Sequence, residues 1–434
     1  MSGIRQLLRF LFYSYVVVWN MKQAERNREK KTLEIFKDTA TEYRFSVSGL
    51  QDEIFPEFIK KGVRSMIIGK RVNAYSPDKQ ARIVLRYLAL MQDERRYLRE
   101  YAIYMASRHN NESVARNWAR TRSRIKKLEL VAETIIVQQI EDALREENTR
   151  SPWPSAKSIF PPVGFKFYPH PPNLVVISPR GGINRIGDFF VSPYLTQADT
   201  AKLESEIEAI KDGENRYSAY ISDIGGCANV YPTIITPTYA KRCLDTIVHE
   251  WTHVFIMFTP VYQAKDKMFM SAMNETVAEY MGEEISNKIW DSYYEPYLDK
   301  KYGKVPPEEQ DISPNKREKE YSKIMSETYH MVRECLDDGR YKEAEEYMQE
   351  GLNLLRHKGY PVRKMNSAYF AFYGQYAYES AFHGANGGLG ALLHVLRQNT
   401  SLRDFLYTAT SCTDMYSLKR AVNSAQREWN NPLA

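Results

Sequence analysis

Residues 236–260 read TPTYAKRCLDTIVHEWTHVFIMFTP, and this stretch decides the fold around it. Thr236 is a typical helix cap, and Pro237 is well placed as the first helical residue. His249 and His253 are four positions apart, so in a helix their side chains lie on one face, one turn from each other. Two imidazoles in that arrangement can bind one metal ion. The stretch therefore predicts a helix with a metal-binding face.

Glu250 is the second residue of this His-Glu-x-x-His motif and would reach the open side of the metal ion. A carboxylate there can take a proton from a metal-bound water, which then attacks the substrate. The pattern arises by accident in roughly one chain in a hundred. Its apolar neighbours Ile247, Val248 and Val254 predict a buried helix, in which a His-Glu-His cluster without a metal would be costly to desolvate. The alternative is two histidines on an ordinary helix.

A catalytic zinc site needs a third protein ligand besides water. Residues 271–285 read SAMNETVAEYMGEEI, and Glu275 and Glu279 would share one face of a second helix. One carboxylate can ligate zinc while the other accepts the free ring N–H of a ligating histidine and fixes its tautomer. Such a pair usually marks a solvated face, but the apolar residues around it indicate an inward face: Met273, Val277, Ala278 and Met281.

The motifs HEWTH and AMNETVAEYMG resemble those of the gluzincin metallopeptidases, the thermolysin-like group, whose second helix carries an Asn-Glu-x-x-x-Asp/Glu pattern. The interval between the two motifs is a few residues longer here than in the best-known members. The resemblance implies zinc ligands at His249, His253 and Glu275, a general base at Glu250, and supporting residues behind the ligands at Asn274 and Glu279.

A closer resemblance extends over most of the chain. It rests on the stretches FPPVGFKFYPHPPNLVVISPR, IGGCANVYPTII, HEWTHVF, MNETVAEYMGEEI and YPVRKMNSAYFAFYGQYA, which look like a group of uncharacterised bacterial proteins. Those proteins typically have a short amino-terminal membrane segment followed by a gluzincin-type domain. This likeness implies a single-pass anchor with the catalytic domain outside the cytoplasm.

The amino terminus itself favours such an anchor. Residues 7–19 are apolar apart from Arg9 and Ser14, and the stretch can be extended to residues 4–21. A bilayer span takes about 20 residues, and arginines near its end can reach the interface. The basic residues that follow would keep the body of the protein in the cytoplasm by the positive-inside rule, against the resemblance. The alternative is a buried or interfacial amphipathic helix.

Two further features concern substrate and transition state. Gluzincins have a strand that lines the cleft and binds an extended peptide, and residues 223–229 (DIGGCAN) are the natural candidate because glycine lets another backbone approach. A plain bulge or turn is the alternative.

A zinc hydrolase also needs a hydrogen-bond donor that stabilises the oxyanion of the transition state. Tyr373 and Tyr376 are candidates, with Arg363 and His383 behind them.

Composition sets the fold class within wide bounds. The 434 residues are 43% hydrophobic and 26% charged, which is ordinary for a globular protein and argues against wholesale disorder. We expect an α+β fold in which a small, mainly antiparallel sheet packs on the zinc helix and on the second ligand helix, with large helical regions before and after. We predict four parts. Residues 1–32 are an anchor with a basic juxtamembrane segment, and residues 33–150 are a helical region. Residues 151–305 form the zinc-site domain, and residues 306–434 form a helical carboxyl-terminal domain.

The predicted function is zinc-dependent hydrolysis of peptide bonds in a peptide or protein substrate, with one Zn²⁺ per chain. The alternatives are hydrolysis of another amide or ester with the same ligands, and a catalytically inactive anchored binding protein. The four cysteines form no CxxC pair, so they do not make a cysteine-rich zinc module. A net charge of +6 is mild, and the basic stretch at residues 116–127 is more typical of a solvated helix face than of a nucleic-acid site. We therefore expect no nucleic-acid partner.

Overall fold

The computed structural model describes most of the chain, namely residues 2–31, 34–106, 112–211, 213, 215–298, 316–373 and 388–430. This part is mostly helical and contains two small sheets, so the predicted α+β class is confirmed at that level. The helices that precede the sheets are α1 (Ser2–Lys31), α2 (Glu34–Thr39), α3 (Val47–Asn73), α4 (Pro77–Ala106) and α5 (Glu112–Glu146). Helix α6 (Gln197–Ala209) lies between the third and fourth strands. The helices after the last strand are α7 (Ala240–Ile256), α8 (Lys267–Tyr293) and α9 (Glu295–Leu298). The carboxyl-terminal helices are α10 (Lys316–Asp337), α11 (Tyr341–His357), α12 (Leu389–Gln398), α13 (Leu402–Ser411) and α14 (Met415–Asn430).

Within the described residues, six strands form two three-stranded sheets, where the sequence predicted one sheet. Their bounds are β1 (Phe165–Phe167), β2 (Asn173–Pro179), β3 (Gly187–Val191), β4 (Tyr217–Ser222), β5 (Gly226–Cys227) and β6 (Thr233–Ile235). The first sheet has the order β3-β2-β4 and is antiparallel. The second has the order β1-β6-β5, with β6 parallel to β1 and antiparallel to β5. Pro232 has no N–H for a ladder, and β6 begins directly after it, at Thr233.

Helices α7 and α8 pack along each other near the centre of the molecule. The largest apolar cluster joins them to the helices on both sides in sequence, and its buried members include Tyr87, Ile135, Trp251, Met281 and Phe405. The two helices with the predicted motifs thus lie between α4 and α5 on one side and the carboxyl-terminal helices on the other. The division of the chain into four parts stays a prediction.

Helix α7 begins three residues later than predicted. Its N-cap is Tyr239, which forms no side-chain capping hydrogen bond. Thr236 donates its hydroxyl to the Ile224 carbonyl at 3.1 Å, so it ties the end of β6 to the loop before β5. The prediction that Thr236 caps the helix and Pro237 opens it is therefore wrong, because a tertiary hydrogen bond takes the capping hydroxyl.

The amino-terminal apolar run lies in α1, and one side of this helix packs on the body of the protein. Val17 and Met21 are buried in a cluster with Phe55, Phe160 and Val254, the last of which is on the back of α7. The other side of α1 exposes large apolar side chains, namely Ile4, Leu8, Phe12, Tyr15 and Trp19. In the described part of the chain, no helix combines the length and the apolar character that crossing a bilayer requires. The predicted transmembrane helix, and with it the single-pass membrane-anchored localisation, is therefore wrong.

Candidate metal centre

The two histidines share one face of α7, and the direction of that face is set by the apolar face of the helix, which is buried. Leu244, Val248 and Phe255 belong to the central apolar cluster. Trp251 is almost fully buried and donates its indole N–H to the Pro161 carbonyl at 2.9 Å. These contacts fix the rotation of the helix, so its polar stripe has a defined direction.

His249 and His253 lie edge to face, with their Nε2 atoms 3.0 Å apart. The carboxylate of Glu275 on α8 completes the group, with Oε2 at 3.6 Å from Nε2 of His249 and 3.5 Å from Nε2 of His253. A tetrahedral ion with bonds of about 2.0–2.2 Å holds its ligand atoms about 3.3–3.6 Å apart. The two nitrogen–oxygen distances fall within or at the limit of this range, and the nitrogen–nitrogen distance of 3.0 Å is slightly shorter. This spacing, with two nitrogen donors and one oxygen donor, suits a zinc ion.

Burial and charge act against each other in this group. Burial would raise the pKa of Glu275, but the charge of His253 and hydrogen bonds from both histidines outweigh it and hold that pKa well below its usual range. Burial would lower the pKa of His253, but Glu275 raises it to about 9. The carboxylate is thus ionised, as a metal ligand must be.

Asn274 lies behind the second histidine. Nδ1 of His253 and Oδ1 of Asn274 are both buried, and within the described structure neither forms a hydrogen bond. The Asn274 side chain nevertheless interacts with the His253 ring and raises its pKa. A neutral His253 that carries its proton on Nδ1 would have its lone pair on Nε2, which is the atom that faces Glu275.

Glu250 is buried between α7 and strand β5, on the side of the histidines. Burial raises the pKa of its carboxyl group, while the charges of His253 and His249 and the backbone N–H of Ala228 lower it. A Cβ atom built on Gly226 would overlap Oε1 of Glu250 and lie 2.7 Å from its Cγ and Cδ. Only glycine at this position of β5 leaves room for the carboxylate.

Among the described residues, strand β5 is the end strand of its sheet, and it pairs there with β6. It lies within residues 223–229, the segment that the resemblance suggested as the cleft strand. Its role in substrate binding stays a prediction, but its contact with Glu250 is a feature of the fold that the sequence did not reveal.

The helix pair is also close at Gly282. A Cβ atom there would lie 2.6 Å from Oδ1 of Asp245 and 3.3 Å from Cβ of His249. Burial raises the pKa of Asp245, and the charges of Arg242 and His249 oppose that shift. Asp245 is thus a carboxylate beside the first histidine that sequence reasoning missed, although its position one turn before His249 on the same face could have indicated it.

Glu279 is exposed, and the described structure gives it no hydrogen bond to either histidine. Its proposed position behind a ligand histidine stays a prediction that this geometry does not support. Asp245 interacts with His249, and Glu279 adds negative charge next to Asp245.

Tyr373 lies at the end of the helical residues 367–373, and its hydroxyl is 3.0 Å from Oγ of Ser222 at the end of β4. Its ring packs on Tyr220 and Tyr369. No hydrogen bond joins it to the residues of the metal centre in the part of the chain that is described. Arg363 forms a salt bridge with the buried Glu204 at 2.6 Å. Tyr376 and His383 are outside the described residues.

No protein-family model matches this chain, and neither a curated protein nor a solved structure is similar enough to count as a match. The resemblance to gluzincins therefore rests on the motifs of the sequence.

Proposed function

We propose that this chain is a zinc metallopeptidase of the gluzincin type, a hydrolase with one Zn²⁺ held by His249, His253 and Glu275. The observation that carries the proposal is the convergence of these three donor atoms at the spacing of a tetrahedral ion, with the carboxylate of Glu250 beside them. In this proposal the sheet β1-β6-β5 and helix α8 are the elements that pack on the zinc helix α7.

Zinc in such a site polarises a carbonyl and makes a water more acidic. Glu250 would be the general base that takes a proton from the attacking water, and its own position suits the task. It is buried, so its carboxylate is poorly solvated and gains from accepting a proton. The N–H of Ala228 holds one side of the carboxylate in place. After the attack, protonated Glu250 hands the proton to the leaving amine.

A peptide substrate is favoured over other amides because β5, the end strand of its sheet among the described residues, lies next to Glu250. An extended peptide can pair with such an edge through its backbone groups. Gly226 has no side chain that would keep a peptide backbone away from the carboxylate. The scissile bond would then lie over the three donor atoms.

The test is a digest of a mixed peptide library by the zinc-loaded full chain, with products identified by mass spectrometry. We expect cleavage at peptide bonds that a zinc chelator abolishes and added zinc restores. A parallel panel of non-peptide amides and esters separates the two hydrolase classes. Cleavage confined to that panel would contradict the peptidase proposal, and inactivity on both in a sample shown to hold zinc would favour a binding protein.

Gly226→Ala should lower peptidase activity by about a hundredfold, because its methyl group displaces the carboxylate that must meet the attacking water. Zinc content should stay at the wild-type value, since no ligand is touched. Gly225→Ala is the matched control: its Cβ would meet no atom within 4 Å. Equal activity of the two variants would show that the carboxylate does not act from the position described.

A further inference from the structure

The amino-terminal end of helix α7, away from the metal centre, borders a pocket. This pocket of about 330 Å³ opens between α4 and the segment that leads into α7. Three arginines of α4 line it, Arg95, Arg96 and Arg99, together with Gln92 of the same helix. The opposite wall is residues 237–239. The volume is at the lower end of the range of small-molecule sites.

Two of the three guanidinium groups form no salt bridge within the described residues. Arg96 pairs with Asp93 at 2.7 Å, but in the described part of the chain neither Arg95 nor Arg99 forms a salt bridge. Arg95 donates one N–H to the Pro237 carbonyl at 3.2 Å, and its buried Nε has no hydrogen-bond partner. A buried donor without a partner calls for a specific explanation, and a bound anion is one.

The positive potential extends to the neighbouring groups. Burial lowers the pKa of Arg95, and the charge of Arg99 lowers it further, while Asp223 acts in the opposite direction. His170 has a lowered pKa, because of burial and then the charges of Arg95 and Arg99. Arg99 is thus close enough for its charge to act on Arg95, and an anion bound near both guanidinium groups would relieve this repulsion.

The wall opposite the arginines is the N-terminal end of α7. This helix of 17 residues has no side-chain cap and no acidic residue in its first turn. The positive end of its dipole is thus not neutralised locally, and it adds to the field of the arginines. Cavity, guanidinium pair and helix end converge on one place.

We propose that this pocket binds a phosphate dianion, either free or at the end of a small phosphomonoester. Guanidinium groups bind phosphate oxygens through two parallel hydrogen bonds, and the positive end of the α7 dipole adds to the attraction for the same group. A dianion matches two unpaired arginines better than a carboxylate does. Tyr239 and Pro237 leave an apolar wall for the organic part of an ester. This site is independent of the metal centre, which lies about 14 Å further along α7 at a rise of about 1.5 Å per residue.

The test is isothermal titration calorimetry of the full chain with phenyl phosphate, inorganic phosphate and benzoate, at constant ionic strength and at a pH where the phosphates are dianions. We expect one site for the phosphates and binding of benzoate at least about tenfold weaker. Tighter binding of phenyl phosphate than of inorganic phosphate would assign the site to esters, and the reverse order would assign it to the free ion. Benzoate binding as tight as phenyl phosphate would overturn the proposal.

Variants locate the site. The Arg99 side chain is exposed, so Arg99→Gln should not disturb folding. Both Arg99→Gln and Arg95→Gln should weaken phosphate binding by about tenfold or more. Arg86→Gln, an exposed arginine on the same helix, is the matched control and should bind as wild type. His253→Ala, altered at the metal centre, should also bind as wild type. Binding that is lost in His253→Ala and kept in Arg99→Gln would place the anion at the metal centre and contradict the second site.

Discussion

Glu250→Gln should keep its zinc and lose peptidase activity by about 10²–10⁴-fold, the contribution of a positioned general base. Glutamine has the same shape and can still accept the N–H of Ala228, so the packing between α7 and β5 is retained. Its amide oxygen cannot take the proton of the attacking water. The measurement is the rate of cleavage of one identified peptide, with zinc content determined on the same sample.

The control for this variant is Glu206→Gln, a change of the same kind on the exposed side of α6. It should cleave the peptide at the wild-type rate. Wild-type activity in Glu250→Gln would remove the general base from the mechanism, and a loss of zinc in that variant would make its inactivity uninformative about proton transfer.

Glu275→Ala should weaken zinc binding by more than about a hundredfold. Removal of a carboxylate ligand costs more than removal of a residue that only orients a ligand, which typically costs 10–100-fold. Without Glu275 the two histidines offer only two donors and no negative charge. The affinity is measured by competition with a chelator of known strength.

Asn274→Ala provides the graded comparison on the same helix. It leaves all three donors in place but removes the partner of the His253 ring, so it should fall between wild type and Glu275→Ala in zinc affinity. Equal zinc affinity in Glu275→Ala and wild type would exclude this carboxylate from the site.

Local sequence patterns were enough to predict the two motif helices. Histidines four positions apart share a face of any helix, and the apolar flanks of the motif determine which side of α7 is buried. The carboxylate of Glu275 meets them because the apolar residues around it direct its helix inward. Gly339 lies in the turn between α10 and α11, where it adopts the left-handed conformation that glycine favours at a helix end.

What the sequence could not predict depends on contacts between distant parts of the chain. The apolar run at residues 7–19 has the same composition whether it meets lipid or a protein core, and only the packing of Val17 and Met21 on α3 and α7 distinguishes the two. Likewise the contact between Gly226 and Glu250, and the approach of Arg95 to Pro237, arise from the tertiary fold. No periodicity within one segment encodes them.

The central claim is that this chain holds a zinc ion, and its most direct test is the metal content of the full chain, purified without chelator or metal-affinity resin. Inductively coupled plasma mass spectrometry should find about one zinc per wild-type chain and far less in His253→Ala. His357→Ala, at an exposed histidine of α11, is the matched control and should keep the wild-type content. Equal zinc in His253→Ala and wild type, or a folded wild-type chain that takes up no zinc when it is supplied, would contradict the account.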